Sequence, residues 1–171
     1  MTNSRIFKDG QQLYMNPVGR PGVGTIVEGG PGRATSVTLF LPFDASISGG
    51  LSPDKSMTVI GSVLPSAYWF VFNLTSGNDI VLHLNPRFQD NAVIRNSQIS
   101  GSWGPKERSL LSAMPFIRGQ TYQVWMTRDE QCFKVIVNGQ HLFHYNHRVK
   151  NLPCINELEV AGDIHLIHVQ T

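Results

Sequence analysis

The chain has 171 residues, a length that fits one domain. Its formal net charge of +2 at pH 7, with 15% charged residues, excludes a strongly basic nucleic-acid footprint. Hydrophobic residues make up 41% of the sequence, enough to build a core rather than a disordered chain. No apolar run approaches the roughly 18 residues that a membrane span requires, so we expect no membrane insertion.

Residues 1–36 differ in composition from the rest, because they carry seven glycines and three prolines. No hydrophobic period of a strand or a helix is sustained there, which predicts a flexible arm or linker before a domain at 37–171. Met1 is followed by polar residues instead of an apolar signal segment, so we expect the chain to be made in the cytoplasm.

From residue 37 onward, apolar runs of four to eight residues alternate with turn residues. Many short strands at this spacing predict an all-β sandwich or barrel. The clearest hairpin is 133–143, because its Asn138-Gly139 turn supplies two residues that accept the positive φ angles of a type I′ turn.

Alternation along two neighbouring strands predicts an apolar face and a polar face. The apolar face carries Phe70, Phe72 and Leu74 on one strand and Leu82, Leu84 and Phe88 on the next. The opposite face carries Trp69, Val71, Asn73, His83, Asn85 and Arg87. This division is typical of a sheet with one side on the core and the other in water. Arg95 falls on the core side by the same rule, and the sequence identifies no partner for it.

The polar face is where the sequence indicates chemistry. His83, Asn85 and Arg87 lie two residues apart, so their side chains line one surface at intervals of about 7 Å. Asn96 and Trp103 follow on the next strands. A flat aromatic ring beside fixed donors and acceptors suits a sugar, since the ring packs on its apolar face while polar groups read the hydroxyl directions. The alternative is that these residues are only the solvated side of a sheet.

Other candidate sites carry less weight. His141, His144 and His147 are three residues apart, but in an extended strand the first two point to opposite faces, so we predict no metal site. Cys132 and Cys154 are expected to be free thiols. No nucleophile with a base and no phosphate loop is visible, so we predict neither an enzyme nor a cofactor.

Three motifs together resemble the carbohydrate-recognition signature of the galectin family, which reads H-x-N-P-R, V-x-N and W-G-x-E-x-R along the chain. The matching strings are HLNPRF at 83–88, IRN at 94–96 and WGPKER at 103–108. The resemblance covers about residues 37–171, and within the family it is most similar to the C-terminal domain of galectin-9 and its single-domain relatives. It implies a two-sheet antiparallel jelly-roll sandwich that binds β-galactosides without catalysis, and non-classical secretion to the extracellular space.

The resemblance also implies a role for each matching residue. His83, Asn85 and Arg87 would bind the axial 4-hydroxyl of galactose, Asn96 the 6-hydroxyl, Trp103 the apolar face of the ring, and Arg108 the second sugar. Such an array would reject the equatorial epimer, because buried polar partners would be left unpaired. The expected ligands are β-galactoside glycans on glycoproteins or glycolipids.

One residue departs from the family signature. Where the signature has a glutamate, this chain has Lys106. Lysine has donors but no acceptor, and it adds a third cation to Arg87 and Arg108. Two positive charges about 4 Å apart repel by about 4 kcal/mol near a protein surface, although rotation of the lysine side chain into water relieves much of this repulsion. Glu107 can substitute only if a bulge or register shift turns it toward the groove. We therefore expect weakened or altered β-galactoside binding.

Trp69, Val71 and Asn73 extend the polar face along a neighbouring strand. An apolar platform for a longer glycan, a patch for a protein partner and a homodimer contact are all open readings of Trp69 and Val71. The cations near Trp103 favour a sulfated or sialylated glycan as one hypothesis. The alternative function is that of a galectin-like protein that has lost lactose binding and acts through protein–protein contacts.

Overall fold

A computed structural model of the chain describes residues 6–8, 11–13, 39, 41–149 and 154–171. Within these residues the secondary structure consists of strands, and no helix is long and apolar enough to cross a membrane. The strands are β1 Ile6–Lys8, β2 Gln11–Leu13, β3 Phe43–Ser46, β4 Ser56–Val63, β5 Phe70–Ser76, β6 Asp79–Arg87, β7 Ala92–Ile99, β8 Ser102–Trp103, β9 Thr121–Arg128, β10 Cys132–Val137, β11 Gln140–Asn146, β12 Glu157–Gly162 and β13 Ile164–Gln170.

Two antiparallel sheets form the domain. The six-stranded sheet has the order β3-β12-β5-β6-β7-β8, and the five-stranded sheet has the order β11-β10-β9-β4-β13. Consecutive strands β5, β6, β7 and β8 are neighbours, whereas β12 inserts between β3 and β5 from a distant part of the chain. The predicted all-β jelly-roll sandwich is confirmed.

The core lies between the sheets, where the predicted apolar face of β5 and β6 is buried. Phe70 and Phe72 are at most 1% exposed and belong to the main hydrophobic cluster, together with Leu74, Leu82 and Leu84. The Phe70 ring stacks on Tyr122 of the opposite sheet with centroids 5.6 Å apart. Burial of such large apolar rings is among the strongest favourable contributions to a core of this kind. The other face of the six-stranded sheet points away from this core.

The hairpin turn follows the sequence prediction. Asn138 has φ of 51° and Gly139 has φ of 82°, the two positive angles that a type I′ turn requires.

One prediction about this hairpin is wrong, because β11 contains an irregularity that simple alternation misses. The register shifts between Val135 and Ile136 of β10, and two consecutive β11 residues, Leu142 and Phe143, are both buried. His141 and His144 therefore both face outward, with ring centroids 6.3 Å apart. A bulge of this kind re-aims every side chain beyond it. No cluster of three or more metal-ligating side chains occurs among the described residues.

Most of the predicted arm at 1–36 lies outside the described residues. The described part is a short antiparallel pair in which Ile6 lies opposite Leu13. This regular pairing was not expected, because strands of three residues are too short to leave a hydrophobic period in the sequence.

Candidate functional site

The candidate site is a groove on the outer face of the six-stranded sheet. Antiparallel pairing places Asn73 of β5 and Asn96 of β7 on either side of His83, so their side chains share one face. Trp103 of β8 lies opposite Gln98 at the sheet edge, and its ring contacts the His83 ring edge-on with centroids 4.9 Å apart. The structure thus brings together residues from three of the predicted motifs.

The polar side chains of the groove are buried, contrary to the wet face expected from alternation. His83 is 4% exposed, Asn85 1%, Arg87 8% and Asn96 4%. The reading of these residues as a merely solvated surface is therefore wrong. Because a buried polar group is costly without a partner, the hydrogen bonds of this array determine what it can do.

Asn85 and Arg87 form a fixed pair. Asn85 Nδ2 donates to the carbonyl of Phe70 at 2.6 Å, and Arg87 Nε donates to Asn85 Oδ1 at 2.7 Å. Arg87 Nη1 lies 3.9 Å from a carboxylate oxygen of Asp90. Backbone and side chain together hold the guanidinium in place, an arrangement of the kind that lowers the cost of binding a ligand.

His83 is neutral at physiological pH. Its Nδ1 lies 2.7 Å from Asn73 Oδ1, and burial, with repulsion from Arg87 and Lys106, lowers the pKa of the imidazole to about 3. Desolvation penalises the charged form, which is the main cause of the shift. A neutral imidazole has one donor and one acceptor nitrogen, so His83 can donate one hydrogen bond and accept another.

Asn96 is held by a residue that the sequence did not single out for the site. Arg148 Nη1 donates to Asn96 Oδ1 at 2.8 Å, and the backbone N–H of Ser97 donates to the same oxygen at 2.8 Å. Asn96 Nδ2 donates to the carbonyl of Gly104 at 2.8 Å. Three of the four hydrogen-bonding positions of the amide are used, which leaves one Nδ2 hydrogen for a ligand.

Arg148 also fixes the loop that follows Trp103. Its Nη2 donates to the carbonyl of Pro105 at 2.7 Å and to the Glu107 carboxylate at 3.2 Å. A β-carbon on Gly104 would lie 2.6 Å from Arg148 Nη1, so a larger residue at this position would force the guanidinium to shift. None of the three sequence motifs includes Arg148.

Arg95 supports the same loop from the core side, as alternation predicted. The backbone N–H of Arg95 donates to the carbonyl of Glu107 at 3.0 Å, and the N–H of Glu107 donates to the carbonyl of Arg95 at 2.9 Å. Its guanidinium donates to the carbonyls of Val93 at 3.0 Å and Ser109 at 2.5 Å, and lies 4.4 Å from the centre of the Phe143 ring. Burial lowers the pKa of Arg95. These contacts supply the partners that the sequence did not identify.

The loop leaves Lys106 and Arg108 exposed. Neither side chain forms a hydrogen bond or ion pair with any other described residue, but Lys106 is near enough to His83 to lower its pKa. The neighbouring Glu107 binds Arg148 through its carboxylate, at 3.2 Å. The loop thus presents a cation where the family signature has an acceptor.

Trp69, Val71 and Asn73 do lie along the groove face. The backbone of Trp69 forms an isolated antiparallel β-bridge with that of Arg87. The Trp69 side chain packs on an apolar cluster formed by Val71 and Ala161. Val71 and Asn73 are buried, so Trp69 is the half-exposed member of the three.

Comparison with known proteins gives a consistent match. Residues 42–171 match the family model described as galactoside-binding lectin. Galectin-3 of Cricetulus longicaudatus is 39% identical over 140 residues, which are 80% of this chain and 56% of that protein. Galectin-8 of Rattus norvegicus is 39% identical over 141 residues, which are 81% of this chain and 44% of that protein. The chain spans about half the length of these relatives.

Solved galectin structures share the fold of this chain. Galectin LEC-6 of Caenorhabditis elegans superimposes with a TM-score of 0.68 at 26% identity, covering 77% of this chain and 91% of that one. Sheep galectin-11, in complex with glycerol, has a TM-score of 0.66 and supports the fold alone at 24% identity, covering 75% and 95% of the two chains. The particular likeness to galectin-9 stays a prediction.

Proposed function

Because this chain belongs to the galactoside-binding lectin family, the galectins, we propose that its groove binds β-galactoside glycans with an affinity and selectivity altered by Lys106. The observation that carries the proposal is the buried array of His83, Asn85 and Arg87 beside Trp103. An axial hydroxyl inserted among fixed polar groups would satisfy them, whereas an equatorial one would leave them unpaired.

The remaining contacts follow the family signature. Trp103 would pack on the apolar face of galactose, the remaining Nδ2 hydrogen of Asn96 would bind the 6-hydroxyl, and Arg108 would reach the second sugar. Asn96 would be a rigid contact, because Arg148 and Ser97 already hold its oxygen.

Lys106 changes what the second sugar would meet. An ammonium group cannot accept hydrogen bonds from neutral hydroxyls, but it can bind a sulfate or carboxylate through charge-assisted bonds. With Arg108 it gives this side of the groove two exposed cations. We therefore expect weak binding of lactose and stronger binding of sulfated or sialylated galactosides.

The test is calorimetric titration with lactose, 3′-sulfated lactose and 3′-sialyllactose, and cellobiose serves as the disaccharide without galactose. The proposal predicts measurable lactose binding, tighter binding of the anionic sugars and no binding of cellobiose. Equal affinity for lactose and its anionic analogues would overturn the role of Lys106. Absence of binding to all three galactosides would overturn the proposed function.

The Lys106→Glu variant separates the two roles of this position. It restores the acceptor of the family signature and removes a positive charge from the neighbourhood of His83. We expect lactose to bind about ten-fold more tightly, in keeping with one added charged hydrogen bond, while the preference for sulfated sugars disappears. Arg118→Ala is the control, because Arg118 binds the backbone of Ala67 rather than the groove.

The second candidate function is protein recognition by a groove that has lost lactose binding. The observation that favours it is an aromatic pair at one end of the groove, where Tyr68 is 59% exposed next to Trp69. Aromatic residues are typical anchors of protein interfaces. Lactose binding that appears only in Lys106→Glu would support this candidate for the natural protein.

A further inference from the structure

A chain of hydrogen bonds runs across the groove floor from His83 to a residue outside the family signature. His83 Nδ1 lies 2.7 Å from Asn73 Oδ1, and Asn73 Nδ2 donates to Glu159 Oε2 at 3.1 Å. Strand register aligns these residues, because Asn73 of β5 lies opposite both His83 of β6 and Glu159 of β12. Asn73 is fully buried and His83 nearly so.

The carboxylate at the end of this chain determines the direction of every bond in it. An ionised carboxylate only accepts hydrogen bonds, so Asn73 must turn its Nδ2 toward Glu159. The Oδ1 of the same amide then faces His83 and can only accept. His83 Nδ1 must therefore carry the proton, which leaves Nε2 as a bare acceptor in the neutral ring.

We propose that Glu159 is a positioning residue that holds His83 in the Nδ1–H tautomer, so that Nε2 offers a hydrogen-bond acceptor to the ligand. No described residue forms a hydrogen bond with His83 Nε2. Asn73 transmits the effect, because its amide orientation is the link between the two side chains. Without an acceptor at position 159, the amide could rotate by 180° and reverse the tautomer.

The consequence for ligand choice rests on the proposed function. A hydroxyl has one hydrogen to donate, and it can also accept. Between the Nε2 acceptor of His83 and the guanidinium of Arg87, the galactose 4-hydroxyl would donate to the first and accept from the second. In the reversed tautomer it would meet two donors, and its own hydrogen would lack a partner.

The tautomer can be measured without any sugar. Long-range ¹H–¹⁵N correlation spectra at pH 7 distinguish a protonated from a bare imidazole nitrogen, and His83→Gln identifies the His83 signals among the six histidines. We expect a protonated Nδ1 and a bare Nε2 in the natural protein. A protonated Nε2 with a bare Nδ1 would overturn the proposal outright.

Two variants test whether Glu159 is the cause. In Glu159→Lys, an ammonium that only donates should turn the amide of Asn73 and move the proton to Nε2. In the double variant Asn73→Asp/Glu159→Lys, the new carboxylate accepts from both neighbours, so the proton should return to Nδ1. An unchanged tautomer in Glu159→Lys would refute the role of Glu159. Glu159→Leu, which removes the acceptor without adding a donor, should leave a mixture of both tautomers and covers the case in which the lysine variant does not fold. A ring protonated at Nδ1 alone in this variant would also refute the role of Glu159.

Lactose affinity supplies the functional readout. Loss of one hydrogen-bond partner in a buried site corresponds to roughly ten-fold weaker binding in Glu159→Lys, with recovery in the double variant. A uniform loss of affinity in both variants would refute the effect on ligand choice. Failure of the natural protein to bind lactose would overturn the proposed function alone, since the tautomer is read independently.

Discussion

Arg148 should contribute more to the stability of this protein than a surface arginine normally does. Replacing it by alanine removes the donors to Asn96 at 2.8 Å and to Pro105 at 2.7 Å, the ion pair with Glu107 at 3.2 Å and a cation–π contact with Tyr145 at 4.9 Å. The Arg148 side chain is only 20% exposed, so water replaces these contacts incompletely.

The magnitude follows from these contacts. Hydrogen bonds from a charged donor contribute about 1.5 kcal/mol each at the lower end of their range, and the cation–π contact contributes about 0.5 kcal/mol. The ion pair adds little, because Glu107 is 41% exposed and such pairs contribute about 0–1 kcal/mol. Arg148→Ala should thus lower the free energy of unfolding by about 3.5 kcal/mol. Arg148→Lys, which keeps the charge but not the forked geometry, should lose about half as much.

Urea unfolding followed by tryptophan fluorescence measures this difference. Arg118→Ala is the matched control, because Arg118 makes one backbone hydrogen bond at 2.8 Å and one cation–π contact with Phe88 at 5.1 Å, outside the groove. Because Arg118 is exposed and water can replace much of these contacts, we expect Arg118→Ala to cost about 1 kcal/mol and to leave lactose affinity unchanged. If Arg148→Ala and Arg118→Ala lose equal stability, the reasoning that Arg148 holds the groove loop is wrong.

Two further predictions concern stability. Because the pKa of His83 falls from 6.5 to about 3 on folding, the unfolded chain binds a proton that the folded chain does not between these values, so the free energy of unfolding should decrease as the pH drops through this window. His83 should contribute up to about 1.4 kcal/mol per pH unit, and urea titrations in which His83→Gln shows the same slope would contradict this. A β-carbon on Gly61 would overlap the hydroxyl of Tyr122 and the carbonyl of His165, so Gly61→Ala should cost about 2–3 kcal/mol in thermal unfolding. Gly77→Asn, at φ of 58° with open space around it, should change stability by less than about 0.5 kcal/mol, and a similar loss in both glycine variants would count against the packing argument.

Alternation and turn chemistry predicted much of the fold, because they act between residues close in sequence. The period of two placed Phe70 and Phe72 in the core and His83 on the opposite face. The Asn138-Gly139 pair predicted its turn, since few residues accept two positive φ angles in succession. The same local rule failed at His141 and His144, because a bulge depends on how a strand fits its partner and leaves little trace in sequence.

The sequence by itself determined which polar residues belong to the groove, since His83, Asn85 and Arg87 must share a face wherever their strand lies. Only the tertiary structure decided that these residues are buried, and which distant side chains hold them. Arg148 reaches Asn96 across 52 positions of sequence, and Glu159 reaches Asn73 across 86. Those partners are brought near by sheet order, above all by the insertion of β12 beside β5, and no local pattern encodes that neighbourhood. Because a buried polar group takes its protonation and orientation from whatever lies next to it, the chemistry of the groove is a property of the assembled sheet.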